Sequence, residues 1–183
     1  FILWVNSLGL EAASQARLIS GLRAFYKYLL VEDLLDEDPT ELLESPRLRR
    51  KIPEVLSIYE IQQMLAAIDL SAPQGVRNRA IVETLYACGL RVSELVNLRL
   101  TNLYFDIGFV KVIGKNDKER IVPIGESAVK YIRQYVEHVR NRQDNIRPGH
   151  ENFVFLNRNG RQLTRVMVFL IIKELAEIAG VRK

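Results

Sequence analysis

Gly89-Leu90-Arg91-Val92-Ser93-Glu94-Leu95, followed further along by Ile113-Gly114-Lys115-Asn116-Asp117-Lys118-Glu119-Arg120-Ile121-Val122-Pro123, is the part of the chain whose reading decides the fold. Gly89 is a suitable stop for the helix expected over about 76–88, where Ala80, Ile81, Leu85 and Cys88 share one stripe. Arg91 falls just past that stop and just before Ser93, a candidate cap for a short helix over 92–98. In the second stretch the period changes. Residues 109–113 and 120–123 read as strands, and Asn116 and Asp117 tolerate positive φ, so a tight antiparallel hairpin is expected.

Working outward, Ser57 and Glu60 form a capping-box pattern that opens a helix running to about Ile68, and a loop with Pro73 and Gly75 follows it. Upstream, over 12–30, Leu18, Leu22, Phe25, Tyr26 and Leu29 recur at helical spacing. The other face of that helix carries Arg17, Arg23 and Lys27 with Ser14, Gln15, Ser20 and Gly21, short groups that let a phosphate backbone come close. Asp38-Pro39 predicts a short helix to Leu43, because proline suits a first helical position. After the hairpin, helical periodicity returns over 126–142, residues 153–156 read as a short strand, 157–160 as a turn, and Thr164 caps a last helix ending at Gly180.

Ser45-Pro46-Arg47-Leu48-Arg49-Arg50-Lys51-Ile52-Pro53 holds two prolines and four cations without apolar periodicity. The expected organisation is therefore a helical unit over 1–45, a basic linker over 46–53 carrying Arg49, Arg50 and Lys51, and a larger unit over 54–183. The fold class is mainly α with a small antiparallel β-sheet. Lys and Arg number 26 against 22 Asp and Glu, a net charge of +4 that permits nucleic-acid binding without establishing it. The single cysteine, Cys88, excludes an intrachain disulfide, suits a reducing compartment, and on its apolar stripe reads as a packed thiol. No apolar run is long enough for an ordinary membrane-spanning helix, and no signal-peptide pattern opens the chain.

Two side chains carry chemistry. Arg91, at a corner between helices, offers a planar fork that grips two phosphate oxygens at once, and Glu94, one turn on, suits either its orientation or the first turn of the helix. Lys115, before the hairpin tip, is a long ammonium able to enter a groove and give a proton to a leaving oxygen. Turn lysines are ordinarily just solvated. Lys118 and Arg120 share the hairpin, so local sequence alone does not assign the donor. His138 and His150 lack companions at metal-ligand spacing and read as surface histidines.

These motifs resemble, nearly end to end, the tyrosine recombinases of the Xer type: ASQARLISGLRAFYKYL, DEDPTELLESPRL, LSIYEIQQML, RNRAIVETLYACGLRVSELVNL, VKVIGKNDKERIVPIGESA and the closing AEIAG. The resemblance implies part of a helical, SAM-like core-binding domain, followed by an incomplete α/β tyrosine recombinase catalytic domain, the two clamped around DNA. It implies that Arg91 grips the scissile phosphate and Lys115 protonates the leaving 5′-oxygen. Ser14, Arg17, Ser20, Arg23, Lys27, Arg49, Arg50, Lys51, Lys118 and Arg120 are the candidate DNA contacts, and the chemistry the resemblance implies needs no metal or other cofactor. Asn116 stands where relatives commonly have glycine.

Family chemistry also needs a His-x-x-Arg box, a later His or Trp, and a tyrosine nucleophile that forms a 3′-phosphotyrosyl link. None of these is placed in the sequence, and Tyr26, Tyr28, Tyr59, Tyr86, Tyr104, Tyr131 and Tyr135 all lie upstream of where the box is expected. The expectation is of a fragment, truncated at both ends, monomeric and cytoplasmic, that binds DNA weakly without cutting it. The parent would act on duplex DNA with inverted half-sites, as a tetramer with other recombinase subunits. Chromosome dimer resolution and mobile-element integration fit equally well on chemistry; a non-catalytic DNA-binding regulator built on the same fold is the alternative.

Overall fold

The structure is a computed structural model that describes Val5, Ser7, residues 9–48 and residues 54–182, with Asn116 described in its backbone alone. The backbone divides into two compact units, Phe1–Pro53 and Glu54–Lys183.

The first unit is built on α1 (Ala12–Val31). It ends in a Schellman turn: Asp33 takes φ 52, Leu34 N–H donates to the Leu29 carbonyl at 2.9 Å, and Asp33 N–H donates to the Leu30 carbonyl at 3.2 Å. The buried line of α1 differs from the expected one. Ile19 is buried and Tyr26 and Leu30 are half-buried, whereas Leu18 and Phe25 are exposed. At about 100° per residue, Leu18 and Phe25 stand roughly a quarter-turn from the Ile19–Tyr26–Leu30 line. The helix expected at Asp38–Leu43 is instead a pair of turns. The Asp38 carboxylate accepts from the Thr40 N–H at 2.8 Å and its hydroxyl at 2.6 Å, and the backbone bonds span only three residues (Glu41 N–H to Asp38, Leu43 N–H to Thr40). A side chain competing for the first free amide displaces helical pairing there.

The second unit opens with α2 (Ile58–Ala66), where the expected capping box forms: Glu60 N–H donates to Ser57 Oγ at 3.2 Å and Ser57 N–H to Glu60 Oε2 at 2.7 Å. Next, α3 (Pro73–Cys88) begins earlier than the apolar pattern suggests, because Pro73 occupies the first turn, where its missing N–H costs nothing. Gly75 is required by close approach: a Cβ there would lie 1.7 Å from the Asp69 carbonyl oxygen. At the far end Gly89 adopts φ 57 and terminates α3. The one-turn helix α4 (Val92–Val96) follows.

Three antiparallel strands in the order β1 (Leu103–Tyr104), β2 (Phe109–Ile113), β3 (Glu119–Pro123) form the sheet, with Val112 opposite Arg120 and Ile113 opposite Glu119. Val110 and Val112 point into the core, as alternation demands. The β2–β3 connection is longer than the expected tight turn. Gly114 N–H donates to the Lys118 carbonyl at 2.8 Å across a one-turn 3-10 helix, Lys115–Asp117, in which Asp117 takes φ 54.

Then α5 (Glu126–His138) packs on α3. It stops short of Arg142 because buried Arg140 turns inward, donating from Nε to the Phe153 carbonyl at 2.9 Å and from its terminal nitrogen to the Glu151 carbonyl. Residues 153–156 make isolated bridges, Arg99 with Phe153 and Leu156 with Gln162, rather than a strand of the sheet. Finally α6 (Arg165–Ile178) is capped by the Thr164 hydroxyl, which accepts from Met167 N–H at 3.2 Å. The core of this unit gathers Ile81, Leu95, Val110, Ile132, Phe155, Leu163 and Val168 from α3, α4, β2, α5, α6 and the segment before α6, each side chain contributing about 1.5–3 kcal/mol by leaving water. Cys88 is buried, and burial raises its thiol pKa, in keeping with a packing role. Among the described residues no helix is long and apolar enough to cross a membrane.

Candidate active site at the helix corner and hairpin

The left-handed turn at Gly89 and the buried Leu90 swing the chain so that Arg91 leaves the core with extended backbone, φ −67 and ψ 148. Its side chain is 76% exposed. Arg91 itself, and not Ser93, precedes the first helical residue of α4. A guanidinium has no acceptor and caps nothing; the capping group is the Glu94 carboxylate, whose Oε2 accepts from Arg91 N–H at 2.8 Å. This is the physical reason for the displaced start.

Glu94 is the centre of the site. Its side chain is 2% exposed, yet it makes four hydrogen bonds: from Arg91 N–H, from Arg91 Nη1 at 3.0 Å, and from both terminal nitrogens of Arg120, the second at 2.9 Å to Oε2. The Arg120 fork, outweighing the cost of burial and helped by Arg91, holds the Glu94 pKa down at about 2. Arg120 is in turn held above the ordinary arginine value by Glu94. A buried carboxylate that never protonates near neutrality is a fixed anchor for two guanidinium groups, one from the corner and one from β3.

Arg91, Ser93, Asn97, Gly114, Lys115, Lys118 and Arg120 line one cleft of about 790 Å³. Corner and hairpin therefore face a common space, as the sequence led us to expect of Arg91 and Lys115. Lys115 and Lys118 are exposed and make no ion pair among the described residues, and Glu119, the other acid at the rim, is bonded to Lys111 at 3.0 Å. Apart from Arg91 Nη1 and the backbone N–H, the Arg91 donors have no partner among the described residues. The balance is a cationic hollow with unused N–H groups, suited to a phosphate diester.

The other expected contact residues are placed as follows. On α1, Ser14, Arg17, Ser20, Arg23 and Lys27 are all exposed, and Arg23 donates to the Leu43 carbonyl. Ser14 and Arg17 border a shallow groove with Leu18 and Leu22. Arg49, Arg50 and Lys51 lie outside the described residues. Arg120, read from the sequence as a DNA contact, has both terminal nitrogens on Glu94. His138 is exposed, while half-buried His150 accepts from Gln162 N–H at 3.0 Å and packs on Phe153, an internal rather than a surface role. Tyr135 is buried, its hydroxyl accepting from Leu156 N–H at 3.1 Å, and none of the tyrosines borders the Arg91 cleft.

Sequence reasoning missed a second basic groove, bordered by Asn145, Arg147, His150, Asn157, Arg161 and Gln162. Its signal was weak, since Arg147 and Arg161 are separated along the chain, on segments joined by the Arg147 N–H bond to the Gly160 carbonyl and the Asn145 Nδ2 bond to the Arg158 carbonyl.

Comparison with known proteins bears on this geometry. The model of a family described as the phage integrase family matches residues 54–183. Tyrosine recombinase XerD of Listeria innocua is 39% identical over 184 residues, covering all of this chain and 61% of that protein. Tyrosine recombinase XerD of Chlorobaculum tepidum is 41% identical over 191 residues, covering all of this chain and 60% of that protein. The chain thus spans about three-fifths of the length of these curated relatives. Among solved structures, the XerH site-specific recombinase bound to palindromic difH substrate superposes with a TM-score of 0.78 at 20% identity, over 98% of this chain and 54% of that one. The Tn1549 transposon integrase in complex with circular intermediate DNA gives 0.70 at 20% identity, over 96% and 60%. At such identities the likeness establishes a shared fold.

Proposed function

The chain belongs to the phage integrase family, and from that premise we propose that it is the phosphate-gripping part of a DNA breaking-and-rejoining tyrosine recombinase of the Xer type. Arg91 binds the scissile phosphate and neutralises charge gathering on its non-bridging oxygens. Lys115 gives its proton to the 5′-oxygen as the P–O5′ bond breaks, while a tyrosine oxygen bonds to phosphorus and leaves a 3′-phosphotyrosyl link. The substrate is duplex DNA carrying inverted half-sites, and the assembly includes other recombinase subunits. We place this work in the cytoplasm, on chromosome dimers or on an integrating element, two roles that share the same chemistry.

One observation supports this reading above the others: a corner arginine, tied to Glu94 through Nη1 alone of its side-chain donors, and a hairpin lysine with no ion pair among the described residues border one cleft. Because no tyrosine borders that cleft, residues 1–183 taken by themselves bind DNA and form no covalent bond with it. The test is a nicked suicide duplex followed by denaturing electrophoresis. Full-length protein is expected to yield a protein–DNA adduct, and Arg91→Ala to lose it by at least about 100-fold while keeping most duplex affinity, since affinity is spread over many phosphates. Undiminished cleavage by Arg91→Ala would refute the assignment; an adduct formed by residues 1–183 alone would refute the non-cleaving reading of this chain.

A further inference from the structure

Lys115 stands on a connection that has little to hold it. Lys115 and Asp117 are exposed, and among the described residues the bond that closes their turn runs from Gly114 N–H to the Lys118 carbonyl. A leaving-group acid nevertheless has to be held to within a fraction of an ångström, since a displacement of about 1 Å costs on the order of 100-fold in rate. Something must fix the hairpin to the corner that grips the phosphate.

The contacts single out one residue. Arg120 stands on β3 two positions after Lys118, opposite Val112 on β2. Its guanidinium reaches both oxygens of Glu94, the carboxylate that also holds the Arg91 backbone and the Arg91 side chain. The neck of the hairpin lies against the same group: a Cβ built on Gly114 would meet Glu94 Oε1 at 3.6 Å, Lys118 O at 3.4 Å and Arg120 Nη1 at 3.8 Å. Corner, end of β2 and start of β3 thus converge on one buried anion.

We propose that Arg120 is a positioning residue, clamping the base of the β2–β3 hairpin to Glu94 and thereby setting where Lys115 stands relative to a phosphate held by Arg91. The proposal rests on the roles given above to Arg91 and Lys115. It differs from the sequence reading of Arg120 as a DNA contact, because a fork bonded through both ends to an internal carboxylate is not available to bind a phosphate diester in the same way. A lysine at this position would substitute only in part: a single ammonium keeps the charge but lacks the planar pair of donors that spans two carboxylate oxygens.

The test separates positioning of the acid from binding and from folding. Full-length wild type and the variants Arg120→Ala, Arg120→Lys, Lys115→Ala and Arg91→Ala are compared on two nicked duplexes. One has the natural 5′-bridging oxygen and the other a 5′-bridging sulfur. The sulfur leaves as a thiolate, which ionises near pH ~8.5 and needs no proton. On the oxygen substrate, Arg120→Ala and Lys115→Ala are each expected to lose about 100-fold or more in cleavage. On the sulfur substrate both are expected to recover to within about 10-fold of wild type, and Arg91→Ala is expected to stay defective, because charge on the phosphate still has to be stabilised. Arg120→Lys, which keeps a cation on the strand if the alanine variant fails to fold, is expected to show the same substrate-dependent recovery from a smaller defect. DNA affinity and its salt dependence should be unchanged by either Arg120 variant.

Recovery of Lys115→Ala without recovery of folded Arg120 variants would overturn the clamp and leave the proposed function standing. So would Arg120 variants that lose DNA affinity instead of cleavage. Failure of Lys115→Ala itself to recover would instead overturn the acid assignment, and the clamp with it.

Discussion

Arg120 and Glu94, 26 positions apart in the chain, are bonded through both carboxylate oxygens, and the carboxylate is almost wholly out of solvent. Removal of one partner from such a pair leaves the other charge stranded, so the pair couples the stability of the hairpin to that of the α4 corner.

The coupling has a pH signature. The Glu94 pKa is lowered from 4.5 to about 2, chiefly by Arg120 and against the opposing effect of burial. A carboxylate depressed on folding contributes stability that is fully present above its unfolded value and is lost as pH falls through its folded value. The affected window is therefore from about 4.5 down to about 2. The contribution is on the order of 3 kcal/mol at neutral pH. Urea unfolding between pH 7 and pH 2 is expected to show this loss in wild type, and Glu94→Gln should be destabilised at neutral pH with a flatter acid dependence. Parallel curves for the two proteins would mean that Glu94 does not carry the coupling.

Arg140 is a buried cation with a different task. It is 3% exposed, burial lowers its pKa, and its side chain donates to the carbonyls of Phe153 and Glu151. Arg140→Met keeps much of the volume but leaves those carbonyls unpaired, which is expected to cost about 2–4 kcal/mol. Chemical denaturation measures it. A change below about 0.5 kcal/mol would show that water replaces the guanidinium freely.

What was legible in the sequence was local. Ser57 with Glu60, Thr164, and Gly89 mark helix ends through bonds that span three or four residues, and the structure makes each of them. Where a distant group intervenes, periodicity misleads. The helical pattern continues past His138, but Arg140 is drawn inward by Phe153 and Glu151. Asp38 resembles a helix start, but its carboxylate bonds Thr40. Arg91 and Lys115 stood out as phosphate candidates by residue type and by their places at a corner and a hairpin, and the structure sets both on one cleft. That Glu94 holds Arg120 was not, because no local spacing rule relates an N-terminal helix residue to a strand beyond an intervening strand and turn.

Two glycines with positive φ should respond very differently to alanine. At Gly160, φ +72, a Cβ would lie 1.9 Å from the Asn145 carbonyl oxygen and 2.6 Å from its carbon, so backbone must move. Gly160→Ala is expected to cost about 3 kcal/mol or more. At Gly89, φ +57, nothing stands within 4 Å of the Cβ, so Gly89→Ala incurs the conformational penalty alone, about 1 kcal/mol. Thermal melts of the two variants decide it; equal losses would mean that steric clash is not what Gly160 avoids.

Lys118 and Arg120 provide the sharpest contrast in DNA binding. Lys118 borders the Arg91 cleft, is exposed and has no ion pair among the described residues, while Arg120 has its terminal nitrogens on Glu94. If the cleft receives a phosphate backbone, Lys118→Ala should weaken binding to every duplex sequence by a similar factor. It should also lower the slope of log K against log salt by about one, because one fewer counterion is released. Arg120→Ala should leave that slope where it was. Fluorescence anisotropy with a labelled duplex at several salt concentrations reads both. A slope reduced by Arg120→Ala and not by Lys118→Ala would reverse the assignment, making Arg120 the group that meets the phosphate and the Glu94 pair a contact that DNA displaces.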